Sequence, residues 1–275
     1  PVATAFWRAF LALPLLWLWA VLQRAPSPAA DTHSPFHLLV LAGLFFAGDL
    51  AVWHWSIVLT SVANATLLAN LAPIFVTLAA WALYRLAPTW LFTFGMAIAL
   101  AGMALLIRGD FTLGTREVLG DVLGIVTAMF YAGYQLTVSR LRSSISTARV
   151  MAWSSTITSV VLLPIALVSE STLLPTTPGG WIFVAGLALI AQVAGQSLIA
   201  YAMAHLSALF SSVGLLLQPV VAAVLAWLLL GEPLGIVQLA GGALVLLGIA
   251  LANKAERGRS PVRATLREAA SGTRR

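Results

Sequence analysis

The 275-residue chain contains no cysteine and very little charge. The absence of cysteine excludes disulfides, zinc thiolates and thiol catalysis. Only 9% of the residues are Asp, Glu, Lys or Arg, whereas a typical soluble domain has about 25%. So little charge cannot cover a water-facing surface, which excludes a soluble globular enzyme, a disordered chain and a secreted scaffold. Apolar residues make up 60% of the chain, and its mean hydropathy is +0.97. We therefore expect an integral membrane protein.

Nine stretches of the chain are long and apolar enough to span a bilayer, which takes about 20 residues in a helix. Their residues do not alternate between apolar and polar as the strands of a membrane barrel do. The predicted fold class is therefore all-α, a polytopic bundle of membrane helices. The predicted spans are 3–22, 36–59, 63–84, 90–107, 118–139, 148–168, 180–203, 207–230 and 234–252.

The basic residues predict how the chain is oriented in the membrane. When residues 253–275 are placed in the cytoplasm as a basic tail, 12 of the 15 Lys and Arg residues fall on that side and two on the other. The remaining one, Arg8, lies inside the first span. We interpret the tail as a topology anchor that touches anionic lipid, and not as a nucleic-acid-binding segment.

The sequence matches itself at an offset of 146 residues, which indicates a duplicated unit. Pairs that composition alone would not produce recur at this offset: Trp7 with Trp153, Ser61 with Ser207, Pro73 with Pro219, Trp81 with Trp227, Gly95 with Gly241, and Gly102 with Gly248. The repeats are predicted at 1–108 and 118–252.

The repeat also predicts a helix that this chain lacks. The span at 118–139 opens the second repeat, and its partner would precede residue 1. We therefore expect ten helices in the intact protein, five in each repeat, although residues 1–30 alone also fit a signal peptide. Repeats with an odd number of helices enter the membrane in opposite orientations. Inverted repeats are a transporter architecture, with the substrate site between the repeats near the midplane.

A proline stands early in the fourth helix of each repeat, in Leu71-Ala72-Pro73-Ile74-Phe75 and at 217–223. The second copy continues through Gly231-Glu232-Pro233, and Gly120-Asp121 opens the second repeat. In order and spacing these features resemble the EamA-like branch of the drug/metabolite transporter superfamily, over nearly all of residues 1–252.

That resemblance implies ten helices and a bacterial inner-membrane protein that exports or exchanges small metabolites, often amino acids. The first repeat departs from the pattern, because Arg85-Leu86-Ala87 stands where the second has Gly231-Glu232-Pro233. The glutamate therefore cannot be a symmetric functional requirement.

Asp49 is an acid near the middle of the second predicted span, where polar groups are costly enough to suggest a function. Trp53 follows at i+4 on the same helical face. We expect Asp49 to bind a substrate ammonium or take up a proton, or else to be a neutral acid bonded inside the bundle. His54 is a further candidate because a histidine side chain can titrate near neutral pH, with a packed, hydrogen-bonded histidine as the favoured alternative.

Amides and aromatic rings supply the other candidate binding residues. Gln192 and Gln196 are spaced i,i+4 on one span, and Tyr131 and Gln135 repeat that spacing on another. Amides both donate and accept hydrogen bonds, which suits the backbone groups of an amino acid. Interhelical hydrogen bonding is the alternative. Trp153, like Trp7, either walls the cavity or belongs to an interfacial aromatic belt.

Four polar or proline positions are predicted to act as hinges or gates: Asn70, Pro73, Gln218 and Pro219. Proline removes a backbone N–H and frees a carbonyl one turn back, so substrate binding and a passive kink remain alternatives. A second set is predicted to pack helices closely, because small residues seven apart form one stripe: Gly95 with Gly102, and Gly241 with Gly248.

Arg8 has two interpretations: it pairs with a substrate carboxylate, or, as we favour from sequence, it extends to the membrane interface. Searches for catalytic motifs find no H-E-x-x-H, no G-x-S-x-G and no phosphate-binding loop. We therefore predict no enzyme activity, cofactor, metal or ATP-driven pumping within this chain.

The sequence predicts a secondary transporter that exports small polar metabolites, with amino acids favoured, by alternating access between two inverted repeats. Asp49 leads the site, and proton coupling through it and facilitated diffusion are equally consistent. The expected partners are a small-molecule substrate and the lipid bilayer, with the protein a monomer or weak dimer. A multidrug or nucleotide-sugar carrier of the same superfamily is the main alternative. A membrane scaffold without transport is the alternative of another class.

Overall fold

The computed structural model describes residues 2–23, 36–107, 114–231 and 233–258. The regular structure in these ranges is helical, and nine helices there are long and apolar enough to cross a membrane. The prediction of an all-α polytopic bundle is confirmed. The regions of Arg24, Arg108 and Glu232, and the tail beyond Gly258, lie outside the described residues.

Some spans are built from more than one helical segment. In chain order the elements are α1 Val2–Leu22, α2 Phe36–Leu59, α3 Val62–Ala69, α4 Ala72–Tyr84, α5 Trp90–Ile107, α6 Thr115–Leu141, α7 Thr147–Ser169, α8 Pro178–Gly186, the π-helix π1 Leu187–Gln196, α9 Ser197–Ala202, α10 Ala208–Gly214, α11 Leu217–Leu225, the π-helix π2 Ala226–Leu230, and α12 Ile236–Arg257.

The span predicted at 63–84 consists of two helices, α3 and α4, with a break just before Pro73, where the sequence predicted a hinge or kink. Asn70 closes α3, and its Nδ2 donates to the Thr66 carbonyl at 2.8 Å. An equivalent break separates α10 from α11, just before Pro219. A proline has no N–H to give to the preceding turn, which explains why both helices are interrupted there.

The chain divides into two compact units that each combine segments from both sequence repeats. The first unit is Pro1–Val76 with Asp110–Ala208. Within it, α1 packs against α7 and π1, and α2 packs against α6 and α7. Its largest fully buried side chains include Leu16, Phe46, Tyr134 and Leu162. The polar cluster described below lies entirely in this unit.

The second unit is Thr77–Gly109 with Leu209–Arg275, and its main contact is between α5 and α12. The two backbones meet at glycines: a Cβ on Gly102 would lie 2.6 Å from the Gly241 carbonyl oxygen, and one on Gly95 would lie 2.7 Å from that of Gly248. Any side chain at these positions would separate the helices, so the absence of Cβ atoms is what permits the close approach.

Candidate functional site

Arg8 of α1 reaches across the first unit to π1 and α2. Its Nε donates a hydrogen bond to Gln192 Oε1 at 3.1 Å. Its guanidinium carbon lies 5.8 Å from the centroid of the Phe46 ring, a cation–π distance. The interfacial position that we favoured from sequence is wrong, because the guanidinium finds a buried amide and an aromatic face inside the unit.

Gln192 is fully buried, and its amide is engaged at both ends. While Oε1 accepts from Arg8, Nε2 donates to Ser155 Oγ of α7 at 3.1 Å. These two bonds fix which way the amide faces. Gln192 lies on π1, and π-helical turns within α-helices are frequent at functional sites.

Asp49 lies on α2, one turn after Phe46, and its charge interacts with that of Arg8. The two groups are nevertheless not a contact ion pair. Among the described residues, no nitrogen of Arg8 comes within 4.0 Å of a carboxylate oxygen of Asp49. Both side chains are half-buried within their helices. The structure thus brings a basic and an acidic side chain into one region without a contact ion pair between them.

Two tyrosines of α6 line the same region. The rings of Tyr131 and Tyr134 stack with centroids 6.2 Å apart, and Tyr134 stacks on Phe46 at 4.8 Å. Both tyrosines interact electrostatically with Asp49. Tyr134 is buried, and its hydroxyl donates to Met151 Sδ at 3.8 Å. The aromatic stack thus supports the guanidinium from one side and borders the acid.

Two predicted amides have polar atoms that find no partner in the described part of the chain. Gln135 is 1% exposed, and neither its Nε2 nor its Oε1 is hydrogen-bonded. The Oε1 of Gln196 is also buried without a partner. Because buried amides are nearly always paired, these two remain candidate ligand contacts.

Three further predicted binding residues contact neighbouring backbone or aromatic groups of the first unit. His54 is buried, and its Nδ1 bonds the Leu50 carbonyl of its own helix at 2.7 Å, as in the packed alternative. The Trp53 ring meets the His54 ring edge-on at 5.2 Å. Trp153 packs against Trp17 and Phe36, at 5.3 and 5.6 Å.

Sequence reasoning missed Ser155 and Phe46 and misplaced Arg8. One signal was present for Phe46, because it is the residue that the 146-residue offset pairs with Gln192. Arg8 lies between these two repeat-equivalent positions. Across the described ranges, no three acids or histidines lie together in a group that could hold a metal ion.

Comparison with known proteins identifies the family. The model of the EamA-like transporter family matches residues 1–108 and 118–254. A protein of Archaeoglobus fulgidus named "Uncharacterized transporter" is 25% identical over 260 residues, which cover 91% of this chain and 87% of the relative. The "Probable terminal-alkyne amino-acid exporter" of Streptantibioticus cattleyicolor is 28% identical over 210 residues, covering 75% of this chain and 69% of that protein.

A solved crystal structure has the same fold. It superposes with a TM-score of 0.75 at 20% sequence identity, covering 92% of this chain and 89% of the other. The family match extends over both halves of the sequence, and its members are transporters that carry small molecules across lipid. This chain therefore belongs to the EamA-like transporter family and is an integral membrane transporter, not an enzyme.

Proposed function

We propose that the protein is a secondary transporter that exports small zwitterionic metabolites, with amino acids as the favoured class. The observation that carries this proposal is the pair Arg8 and Asp49, which lie near each other inside membrane helices without forming a contact ion pair. Charged groups in a bilayer cost free energy and mark substrate or ion pathways. A ligand with one positive and one negative group complements both.

Neutral polar side chains of the first unit support a small polar ligand. Tyr131 borders Asp49, and the unpartnered amide of Gln135 lies one turn further along the same helix. Gln196 adds a second such amide. In this proposal Asp49 binds the substrate ammonium and the amides bind its polar atoms. A nucleotide sugar carries phosphates that need several basic groups, and the cluster offers one.

The name of the Streptantibioticus relative is consistent with this class of substrate, because that protein is described as an amino-acid exporter. For the transport cycle we propose alternating access between the two repeats. The helix breaks before Pro73 and before Pro219, with Asn70 and Gln218 close to them in sequence, would act as hinges or gates, in a monomer or weak dimer. Flux measured with and without a pH gradient separates proton coupling through Asp49 from facilitated diffusion.

The proposed location is the bacterial inner membrane, with the C terminus in the cytoplasm. Its support is the distribution of basic residues, of which 12 in 15 fall on one side. Because the chain has no cysteine, a single cysteine introduced into the tail can be labelled from either side in intact cells. Labelling by a membrane-impermeant reagent without permeabilisation contradicts the orientation.

The substrate class is tested with purified protein in liposomes and a panel of radiolabelled amino acids. We expect at least one to cross faster than in protein-free liposomes, and we expect Asp49→Asn to lower its flux about ten-fold or more. The matched control is Asp121→Asn. Asp121 is also an acid of the first unit, but it accepts a hydrogen bond from Thr60 Oγ1 at 2.8 Å and is not part of the cluster. The proposal fails if no amino acid crosses, or if the two variants reduce flux equally.

A further inference from the structure

We infer that Arg8 is the anchor for the substrate carboxylate, held in place by Gln192 and Ser155, so that transport requires a free carboxylate. This inference rests on the proposed function and adds to it a specificity-determining residue and two positioning residues. It predicts that the protein distinguishes an amino acid from the amine or alcohol of the same shape.

Only the Nε edge of the Arg8 guanidinium is hydrogen-bonded in the described part of the chain. Arginine carries N–H donors on Nε, Nη1 and Nη2. Nε donates to Gln192, whereas the N–H groups of Nη1 and Nη2 have no acceptor among the described residues. Those groups form the end of the fork, which matches the two oxygens of a carboxylate.

The guanidinium of Arg8 is held on its face as well as on its edge. Phe46 lies under it at 5.8 Å, and Phe46 is itself fixed by the stack on Tyr134 at 4.8 Å. Both rings are fully buried. An arginine held on one edge and one face presents its remaining end in a fixed direction, so little conformational entropy is lost when a ligand binds there.

Asp49, the nearby acid, leaves the Nη end of the guanidinium unoccupied. Asp49 is on the same helix as Phe46, three residues later, yet it makes no contact pair with Arg8. Its carboxylate also accepts no hydrogen bond in the described part of the protein. An α-amino acid carries its carboxylate and its ammonium on one carbon, so a single small ligand can meet both groups.

The positioning role follows from the chain of hydrogen bonds that ends on Arg8. Ser155 accepts from Gln192 Nε2, which leaves Gln192 Oε1 to accept from Arg8. Without the serine hydroxyl, the amide loses the bond that sets its orientation. Ser155 and Gln192 thus act on the ligand through Arg8 and are not themselves in contact with it.

The decisive experiment needs no variant. Transport is measured for each labelled amino acid that crosses, in the presence of unlabelled competitors. The competitors are L-leucine, L-phenylalanine and L-threonine, and their amino alcohols leucinol, phenylalaninol and threoninol. Each amino alcohol keeps the ammonium and has an alcohol in place of the carboxylate. We expect the alcohols to compete about 10- to 100-fold more weakly, since a site built for a polar group rejects analogues that lack it. Equal competition overturns the anchor and leaves the proposed function standing.

The variants assign the effect to residues. Arg8→Gln should raise the KM for the amino acid at least about ten-fold and abolish the preference for the amino acid over the alcohol. Arg8→Lys should retain part of that preference, because it keeps a positive charge but replaces the guanidinium fork by a point charge. Gln192→Glu places a carboxylate beside Arg8, which should compete with the ligand and also abolish the preference. A preference unchanged in Arg8→Gln contradicts the assignment.

Ser155→Ala tests positioning against a matched control. Ser159 lies one turn along α7, and its hydroxyl donates to the Ser155 carbonyl at 2.8 Å, within its own helix. We expect Ser155→Ala to raise the KM several-fold and reduce the preference, with kcat little changed, and Ser159→Ala to alter neither. Equal effects of the two variants contradict the positioning role.

Ligand-induced thermal stabilisation separates failure of this inference from failure of the proposed function. If no amino acid crosses the liposomes, the unfolding temperature of the detergent-purified protein is compared in L-leucine and in leucinol. If the amino acid stabilises the protein and Arg8→Gln abolishes this stabilisation, the anchor is supported, even though the proposal of amino-acid transport is then wrong. Equal stabilisation, or none, overturns the anchor as well.

Discussion

Arg85 and Gly231, 146 residues apart, adopt the same left-handed backbone conformation, with φ of 57° and 70°. Each residue directly follows the end of a helical segment, α4 in one repeat and π2 in the other. Glycine is the usual residue for this helix-ending conformation, because it has no Cβ to clash. Arg85 is the one non-glycine residue with positive φ in the described ranges, so the first repeat adopts the same turn under strain.

Replacing Arg85 with glycine should therefore stabilise the protein. Relief of the left-handed strain is worth about 1 kcal/mol, which corresponds to a rise of about 2–4 °C in unfolding temperature. The measurement is thermal unfolding in detergent. Arg85→Ala is the control, since it removes the same charge but keeps the Cβ; a similar rise in both variants would show that charge and not strain is responsible.

The contact between α5 and α12 can be tested at two adjacent glycines. A Cβ on Gly241 would lie 2.7 Å from the Gly102 carbonyl oxygen, whereas one on Gly242 would have its nearest neighbour, Val220 Cγ1, at 3.7 Å. Gly241→Ala should destabilise the protein by about 1–3 kcal/mol through overpacking. Gly242→Ala should be neutral or slightly stabilising. Equal unfolding temperatures for the two variants would contradict the proposed packing role.

The break before Pro73 predicts a kinetic effect. Pro73→Ala restores an N–H, which allows α3 and α4 to join into one helix. If the break is a hinge, the maximal transport rate should fall several-fold while the KM stays within about two-fold. Pro164 lies inside the uninterrupted helix α7, so Pro164→Ala is the control. A rate loss of the same size in the control would remove the evidence for a hinge at Pro73.

Arg142 joins three segments at one end of the first unit. Its Nε donates to the Ala200 carbonyl at 3.2 Å, and its Nη1 donates to the Ile145 carbonyl. Arg142→Gln should destabilise the protein by about 1–3 kcal/mol, since charged hydrogen bonds to a loop and a helix end are lost. Arg140 is exposed, so Arg140→Gln should change stability by less than about 0.5 kcal/mol. The measurement is thermal unfolding of both variants. An equal loss of stability in Arg142→Gln and Arg140→Gln would contradict the stabilising role of Arg142.

The lengths and hydropathy of the apolar stretches were sufficient to predict the fold class, because both can be taken directly from the order of the residues. The prolines predicted a hinge or kink in each repeat, but not that one helix ends there and another begins. Hydropathy does not register a missing N–H. Hydropathy also cannot distinguish the π-helix π1 from an α-helix, since an apolar segment of the same length gives the same hydropathy in either conformation.

The candidate site was predicted less completely, for a different reason. Helical periodicity indicates which residues share a face, as with Tyr131 and Gln135, but not which faces meet. The bond between Arg8 and Gln192 joins residues 184 positions apart, and nothing local in the sequence encodes it. His54 was ambiguous because a histidine that bonds its own helix and one that faces a cavity have the same sequence context.

The 146-residue repeat doubles the scaffold but not its charge. Ser154 and Gly195 stand at the positions equivalent to Arg8 and Asp49, so both charges of the cluster come from the first repeat. The second repeat contributes the neutral amide of Gln192. In the proposed site, one copy would provide both charges and the other the amide that orients Arg8. A substitution at Arg8 or Asp49 would then have no equivalent residue in the second copy to take its place.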